Sequence, residues 1–142
     1  PIRVEGATGG VNTNFAGKAR AALDELKRGQ DFVYVHIESP DEAGHQGSLP
    51  SKIWSIEQID QQVFGEILRQ LDSFKELRIL LLPDHPTPIS LKTHTSEPVP
   101  FMIYDKTHPQ ANPHLVYNES AAIAAGRFIA NGHELMDLFI NR

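Results

Sequence analysis

Two apolar runs of strand length, each stopped by a proline and each leading to an Asp and a His, constrain this chain more than any other feature. The first, Phe32-Val33-Tyr34-Val35-His36-Ile37, has the β-branched and aromatic composition that suits a pleated, half-buried surface. It breaks at Pro40 into a short polar loop, Asp41-Glu42-Ala43-Gly44-His45. The second, Leu77-Arg78-Ile79-Leu80-Leu81-Leu82, reads as a buried strand and stops at Pro83, directly before Asp84-His85. From Pro83 to Pro100 the chain holds five prolines, a pattern that forbids a regular helix or a central strand. A long loop in a compact domain is usually functional or disordered. His94, in Lys92-Thr93-His94-Thr95, lies inside this one, which favours function.

The remaining segments fill in the layers. Ile2-Arg3-Val4-Glu5 is a possible strand, and Gly6-Ala7-Thr8-Gly9-Gly10 reads as a turn. That turn has no P-loop Lys-Ser/Thr ending and no GxGxxG match, so it argues little for phosphate binding. Phe15, Ala19, Ala22, Leu23 and Leu26 recur at helical spacing, with Gly29 as the stop and Lys18 read as a solvated cation. Ser51 is the expected cap of a long helix carrying Ile56, Ile59, Val63, Ile67 and Leu71, with Trp54 expected to face the core. Glu57 and Asp60 on that helix read as an exposed acidic face, the other reading being carboxylates that orient a metal-bound His. Phe101-Met102-Ile103-Tyr104 is a short strand, and Asp105 to Tyr117 is turn-rich, with His108 and His114 at the surface. Asn118 caps a helix through Ala121, Ala122, Ala125 and Phe128 that stops at Gly132. His133 reads as structural, and Leu135 to Ile140 make a last short helix. This alternation argues for an α/β fold, a mostly parallel sheet layered with helices.

In such sheets ligands bind outside the carboxyl ends of strands. Carboxylate oxygen with imidazole nitrogen suits borderline divalent metals such as zinc and manganese. Asp41 and His45 are four apart, so one helical turn would place both on one face. Asp84 and His85 are adjacent, and a loop after Pro83 can turn both inward. Gly44, lacking a Cβ, permits close approach of the backbone. One Asp–His pair alone is usually a cap or a surface imidazole. Two pairs at strand ends, with His94, shift the reading to a metal site of Asp41, His45, Asp84, His85 and His94. The chain has no cysteine, which excludes disulfides and thiolate zinc sites.

The 142 residues are enough for one domain with its own core. A net charge of -5 without a Lys/Arg block gives no nucleic-acid footprint. No apolar run approaches the roughly 20 residues of a membrane span, and no signal peptide is visible; a cytoplasmic location is expected. The chain enters a possible strand directly after Pro1, without an initiator Met, and is expected to be a piece of a longer protein.

The stretches Val35–His45, Ile56–Asp60, Pro83–Pro88, Lys92–Thr95 and Pro98–Phe101, with the Gly6–Gly10 opening and Gly132–Met136 near the other end, together resemble one family. It is the cofactor-independent phosphoglycerate mutases of the archaeal type, members of the alkaline phosphatase superfamily. The resemblance implies an alkaline-phosphatase-like fold, incomplete here, with residues 1–142 forming the C-terminal portion. It implies two divalent ions (Mn, Zn, Co or Mg), one held by Asp41, His45 and His94 and the other in part by Asp84 and His85. It implies an isomerase acting on a small phosphorylated substrate, 3-phosphoglycerate to 2-phosphoglycerate, through a phosphoserine. The family's nucleophilic serine, a further aspartate and a substrate-clamping domain belong to the upstream part of the enzyme. No catalytic nucleophile is therefore expected here, and the chain alone is expected to be inactive. Ligand counting agrees, because two ions of four to six coordination need more than five protein groups. The rival readings are a phosphohydrolase or other phosphotransferase of that superfamily (homoserine-kinase-like), and a non-catalytic metal-binding module.

Overall fold

Asn14 starts the first helix: its Oδ1 accepts from the Gly17 N–H at 2.8 Å in the computed structural model, which describes residues 1–110 and 116–141. Helix α1, Phe15–Lys27, buries Phe15, Ala19 and Leu23 along one stripe, as the periodicity predicts. Gly29 (φ +98°) takes the left-handed conformation that closes it. Lys18 departs from its solvated reading. Its Nζ donates to the His36 carbonyl at 3.0 Å and to the Thr8 carbonyl at 3.4 Å. Burial holds the ammonium below the ordinary lysine value, with Glu38 acting the other way.

The chain forms two compact units: Pro1–Ser73 with Thr87–Thr95, and Phe74–Pro86 with Ser96–Arg142. In the first, the stretch after Ile37 is helical rather than a loop. Helix α2, Ser39–His45, has Pro40 in its first turn, where an N–H has no intrahelical partner to lose. Asp41 and Glu42 also lie in that turn and favour the positive end of the helix dipole. Helix α3, Leu49–Gln58, is capped by Ser48, not Ser51; the Ser48 Oγ accepts from the Ser51 N–H at 3.4 Å. The long helix continues through a π-helical stretch, Ile59–Phe64, then α4, Gly65–Gln70, and a 3₁₀ turn, Leu71–Ser73. Phe15, Ala19 and Val63 form the core, with Ile37, Ile59 and Ile67 packed on it. Trp54 is 41% exposed, contrary to the core-facing expectation, and touches Phe15 edge-on with ring centroids 5.9 Å apart.

The sequence offers Ile2–Glu5 as a possible strand and Phe32–Ile37 as a strand; among the described residues neither belongs to a sheet. The second run still alternates as a strand does. Tyr34 is 72% exposed, while Val33, Val35 and Ile37 are half-buried. An apolar pattern favours extended backbone, but a ladder also needs a neighbouring strand.

In the second unit, β1 (Arg78–Leu81) pairs with β2 (Met102–Asp105), with Arg78 opposite Asp105 and Leu81 opposite Met102. This pair is antiparallel, within a fold whose sheet as a whole is expected to be mostly parallel. A parallel pair needs a crossover, usually a helix, and the proline-rich connection contains none. The Arg78 Nε lies 3.5 Å from the Asp105 Oδ2, and its guanidinium carbon sits 5.5 Å from the Phe139 ring centroid. Asn118 caps α5, Glu119–Ala125, as expected, but Gly126 in the left-handed conformation ends it before Phe128 and Gly132. Helix α6, Glu134–Ile140, buries Leu135. His108 and His133 are exposed, and His114 lies outside the described residues.

Candidate metal centre

Helix α2 sets Asp41 and His45 one turn apart, with the His45 Nε2 3.4 Å from the Asp41 Oδ2. His94, from the proline-rich segment, brings its Nε2 to 3.0 Å from the His45 Nε2 and 3.5 Å from the Asp41 Oδ1. One ligand atom from each of the three lies within 4.8 Å of the others. The side chains of Asp41, His45 and His94 are 30%, 37% and 50% exposed, so water and small solutes reach them.

These separations fit one ion. Donors bound at about 2.1 Å stand roughly 3.0 Å apart at right angles and roughly 3.4 Å apart at tetrahedral angles. The imidazole orientation fits as well. The His45 Nδ1 lies 3.0 Å from the Lys92 carbonyl oxygen, which can only accept, so Nδ1 carries the proton. In the neutral ring Nε2 is then a bare lone pair aimed at Asp41 and His94. A histidine that ligates metal is typically held in this way by a bond from its other nitrogen.

The Thr87 hydroxyl donates to the Asp41 Oδ1, and the Lys52 Nζ donates to the Thr87 carbonyl at 2.6 Å. Gly44 does permit close approach, but of Thr87: a Cβ there would stand 2.6 Å from the Thr87 carbonyl oxygen. Lys92 has φ 56°, in the left-handed region. Its Cε rests against Gly47, 2.5 Å from where a Cβ would be.

Asp84 and His85 lie in the second unit and turn toward each other. The His85 N–H donates to the Asp84 Oδ1 at 3.0 Å, and the His85 Nε2 lies 3.3 Å from the Asp84 Oδ2. Glu57 and Asp60 are exposed, as the acidic-face reading has it. Sequence reasoning missed Thr87, Lys52 and the Lys92 carbonyl. Thr87 had one signal, a hydroxyl two residues past His85 in a segment already singled out. A backbone carbonyl leaves no trace in residue identity.

A model of the metalloenzyme superfamily matches residues 1–139. The chain is 45% identical over 141 residues to a probable 2,3-bisphosphoglycerate-independent phosphoglycerate mutase of Geobacter sulfurreducens, covering 99% of this chain and 35% of that protein. It is 41% identical over 140 residues to a 2,3-bisphosphoglycerate-independent phosphoglycerate mutase of Methanosarcina mazei, covering 98% and 35%. Against the solved structure of the PH0037 protein from Pyrococcus horikoshii the TM-score is 0.82 at 29% identity, covering 99% of this chain and 41% of that one. The chain thus spans 35% of the length of each of these two curated relatives.

Proposed function

We propose a function from one premise: this chain belongs to the metalloenzyme superfamily. Residues 1–142 are read as the C-terminal part of a metal-dependent phosphotransferase domain in a cofactor-independent phosphoglycerate mutase. The longer protein would interconvert 3-phosphoglycerate and 2-phosphoglycerate. The observation that carries this reading is the convergence of Asp41 and His45 with His94 on one point. The identity to proteins named as such mutases supports it.

Divalent ions (Mn, Zn, Co or Mg), when bound, would offset charge on the transferring phosphoryl oxygens and lower the pKa of the attacking hydroxyl. Asp41, His45 and His94 would hold one ion, and Asp84 and His85 would help hold the second. Asp41 contributes the negative charge of the first set. His45 would contribute its Nε2, the ring proton staying on Nδ1, which donates to the Lys92 carbonyl. The nucleophilic serine, the remaining ligands and the substrate clamp are assigned to the rest of the longer protein, which is therefore the partner of this chain. The strand-like run Val33–Ile37 supports such a partner, since none of its backbone groups joins a ladder among the described residues. A cytoplasmic location fits this function, and no described helix is long and apolar enough to cross a membrane.

Solvent exposure of the two imidazoles favours one second reading, phosphate-ester hydrolysis with water as the acceptor. A coupled assay for 2-phosphoglycerate separates the two. It is run with manganese on this chain alone, then on the full protein that carries it. Turnover is expected only from the full protein, with little free phosphate. Phosphate release without 2-phosphoglycerate would favour the hydrolase. Robust isomerisation by residues 1–142 alone would place the nucleophile among them and overturn the assignment.

A further inference from the structure

We infer that Thr87 is a positioning residue for the metal centre, fixing which way the Asp41 carboxylate presents its oxygens; this rests on reading Asp41, His45 and His94 as ligands. Three observations converge on Thr87. It is 4% exposed in a segment that is otherwise largely open, so its hydroxyl is not a surface group. That hydroxyl donates to the Asp41 Oδ1, the oxygen nearer His94, while the Oδ2 faces His45. Its carbonyl is itself held by the Lys52 Nζ at 2.6 Å.

The surrounding sequence is built for this approach. Thr87 lies against Gly44, where an added Cβ would stand 2.6 Å from the Thr87 carbonyl oxygen and 2.9 Å from its Cγ2. Any larger residue at 44 would push the hydroxyl away from Asp41, one helical turn from His45. A carboxylate turns freely about its last bond unless something holds it. A ligand set at 3.0–3.5 Å separations needs one orientation of that group. The same segment supplies the Lys92 carbonyl to the His45 Nδ1. A single stretch, Thr87–Thr95, thus delivers His94 and also orients the two residues that α2 provides.

Two substitutions separate positioning from packing. Thr87→Val keeps the methyl that packs on Gly44 and loses the hydroxyl. Thr87→Ser loses the methyl and keeps the hydroxyl. If Thr87 positions Asp41, affinity follows the hydroxyl; if it only fills space, affinity and stability follow the methyl. The full protein carrying this chain is titrated calorimetrically with Mn²⁺, and melting is recorded without metal. Thr87→Val is expected to weaken Mn²⁺ binding by about 10–100-fold, the usual cost of losing a group that orients a ligand. Thr87→Ser is expected to stay close to wild type, and metal-free melting should not rank the variants in the same order. Equal affinity for wild type and Thr87→Val, or a loss in Thr87→Ser as large as that in Thr87→Val, overturns the inference. Should Thr87→Val fail to fold, Lys52→Met removes the donor to the Thr87 carbonyl from outside the cluster, and unchanged Mn²⁺ affinity there overturns it. His45→Ala is titrated alongside. If it binds Mn²⁺ as wild type does, the metal reading itself falls, an outcome distinct from failure of Thr87 alone.

Discussion

The Nε2 atoms of His45 and His94 stand 3.0 Å apart. Two N–H groups cannot point at each other at that distance, and the His45 proton is already committed to the Lys92 carbonyl through Nδ1. In the neutral ring the His45 Nε2 is therefore an acceptor, and its lone pair meets either a proton from His94 or a metal ion. A metal that binds the folded state stabilises it by roughly 2.7 kcal/mol at one hundred times its dissociation constant. Excess Mn²⁺ is expected to raise the melting temperature of the full protein, and a chelator should reverse the rise. His45→Ala and His94→Ala should each abolish most of the shift. An undiminished shift in both would contradict ligation by this pair.

Ser39 and Ser55 are both fully buried, and their hydroxyls bond each other at 2.6 Å, joining the start of α2 to α3. Removing one partner leaves a buried hydroxyl unsatisfied, at a cost of about 1–3 kcal/mol, whereas removing both is nearly neutral. Ser55→Ala should therefore destabilise by that amount, and Ser39→Ala in the same chain should recover part of it. Urea denaturation of both single variants and the double variant checks this; strictly additive losses would show that the bond carries no coupling.

Much of this arrangement was legible from residue types and spacing. The four-residue step from Asp41 to His45 works because the segment is helical, although the proline before it suggested a loop. Local signals named the stops and starts at Gly29, Asn118 and Pro83, where one residue decides. They misplaced the cap at Ser51, since Ser48 two positions before Pro50 serves better, and they ran α5 past Gly126. The run from Phe32 to Ile37 shows the deeper limit. Its alternation is a property of the chain, but a sheet is a property of neighbours, and strand order cannot be read from one segment. The antiparallel pairing of Arg78–Leu81 with Met102–Asp105 likewise follows from what the connection lacks, not from the strands.

Gly44 gives a third test. A Cβ there would fall 2.6 Å from the Thr87 carbonyl and 3.0 Å from its Cβ, and backbone cannot swing aside as a long side chain does. Gly44→Ala is expected to destabilise by about 1–3 kcal/mol through overpacking. The same change should weaken Mn²⁺ binding, because it displaces the donor to Asp41. Calorimetric melting and Mn²⁺ titration of the variant measure both; unaltered values of each would mean that Thr87 moves without consequence.

Lys92 holds a positive φ of 56°, which disfavours a side chain by about 1–2 kcal/mol. Glycine relieves that strain but loses more entropy on folding. Lys92→Gly is thus expected to leave stability within about 1 kcal/mol of wild type, whereas the β-branched Lys92→Val should lose more than that. Chemical denaturation ranks them, and a Val variant as stable as the Gly variant would show that the backbone here relaxes.

The last expectation concerns alkaline pH. The Tyr117 phenol is pushed up to about 12, first by burial and second by the charge of Glu119. Its hydroxyl donates to the Pro100 carbonyl at 2.9 Å, a bond that only the neutral phenol makes. In the unfolded chain a tyrosine ionises near 10, so folding raises this pKa. A raised pKa means that the native state holds the proton more tightly. Its contribution to stability is complete below about pH 10 and is lost as pH climbs toward and through 12. Tyr117→Phe removes both the proton and the bond, which should cost about 0.5–1.5 kcal/mol at neutral pH. Beyond that offset, the variant should lose less stability between about pH 9 and 11 than wild type does. Equilibrium urea unfolding at the two pH values reads the difference directly, and parallel losses in wild type and Tyr117→Phe would show that the phenol titrates alike in both states.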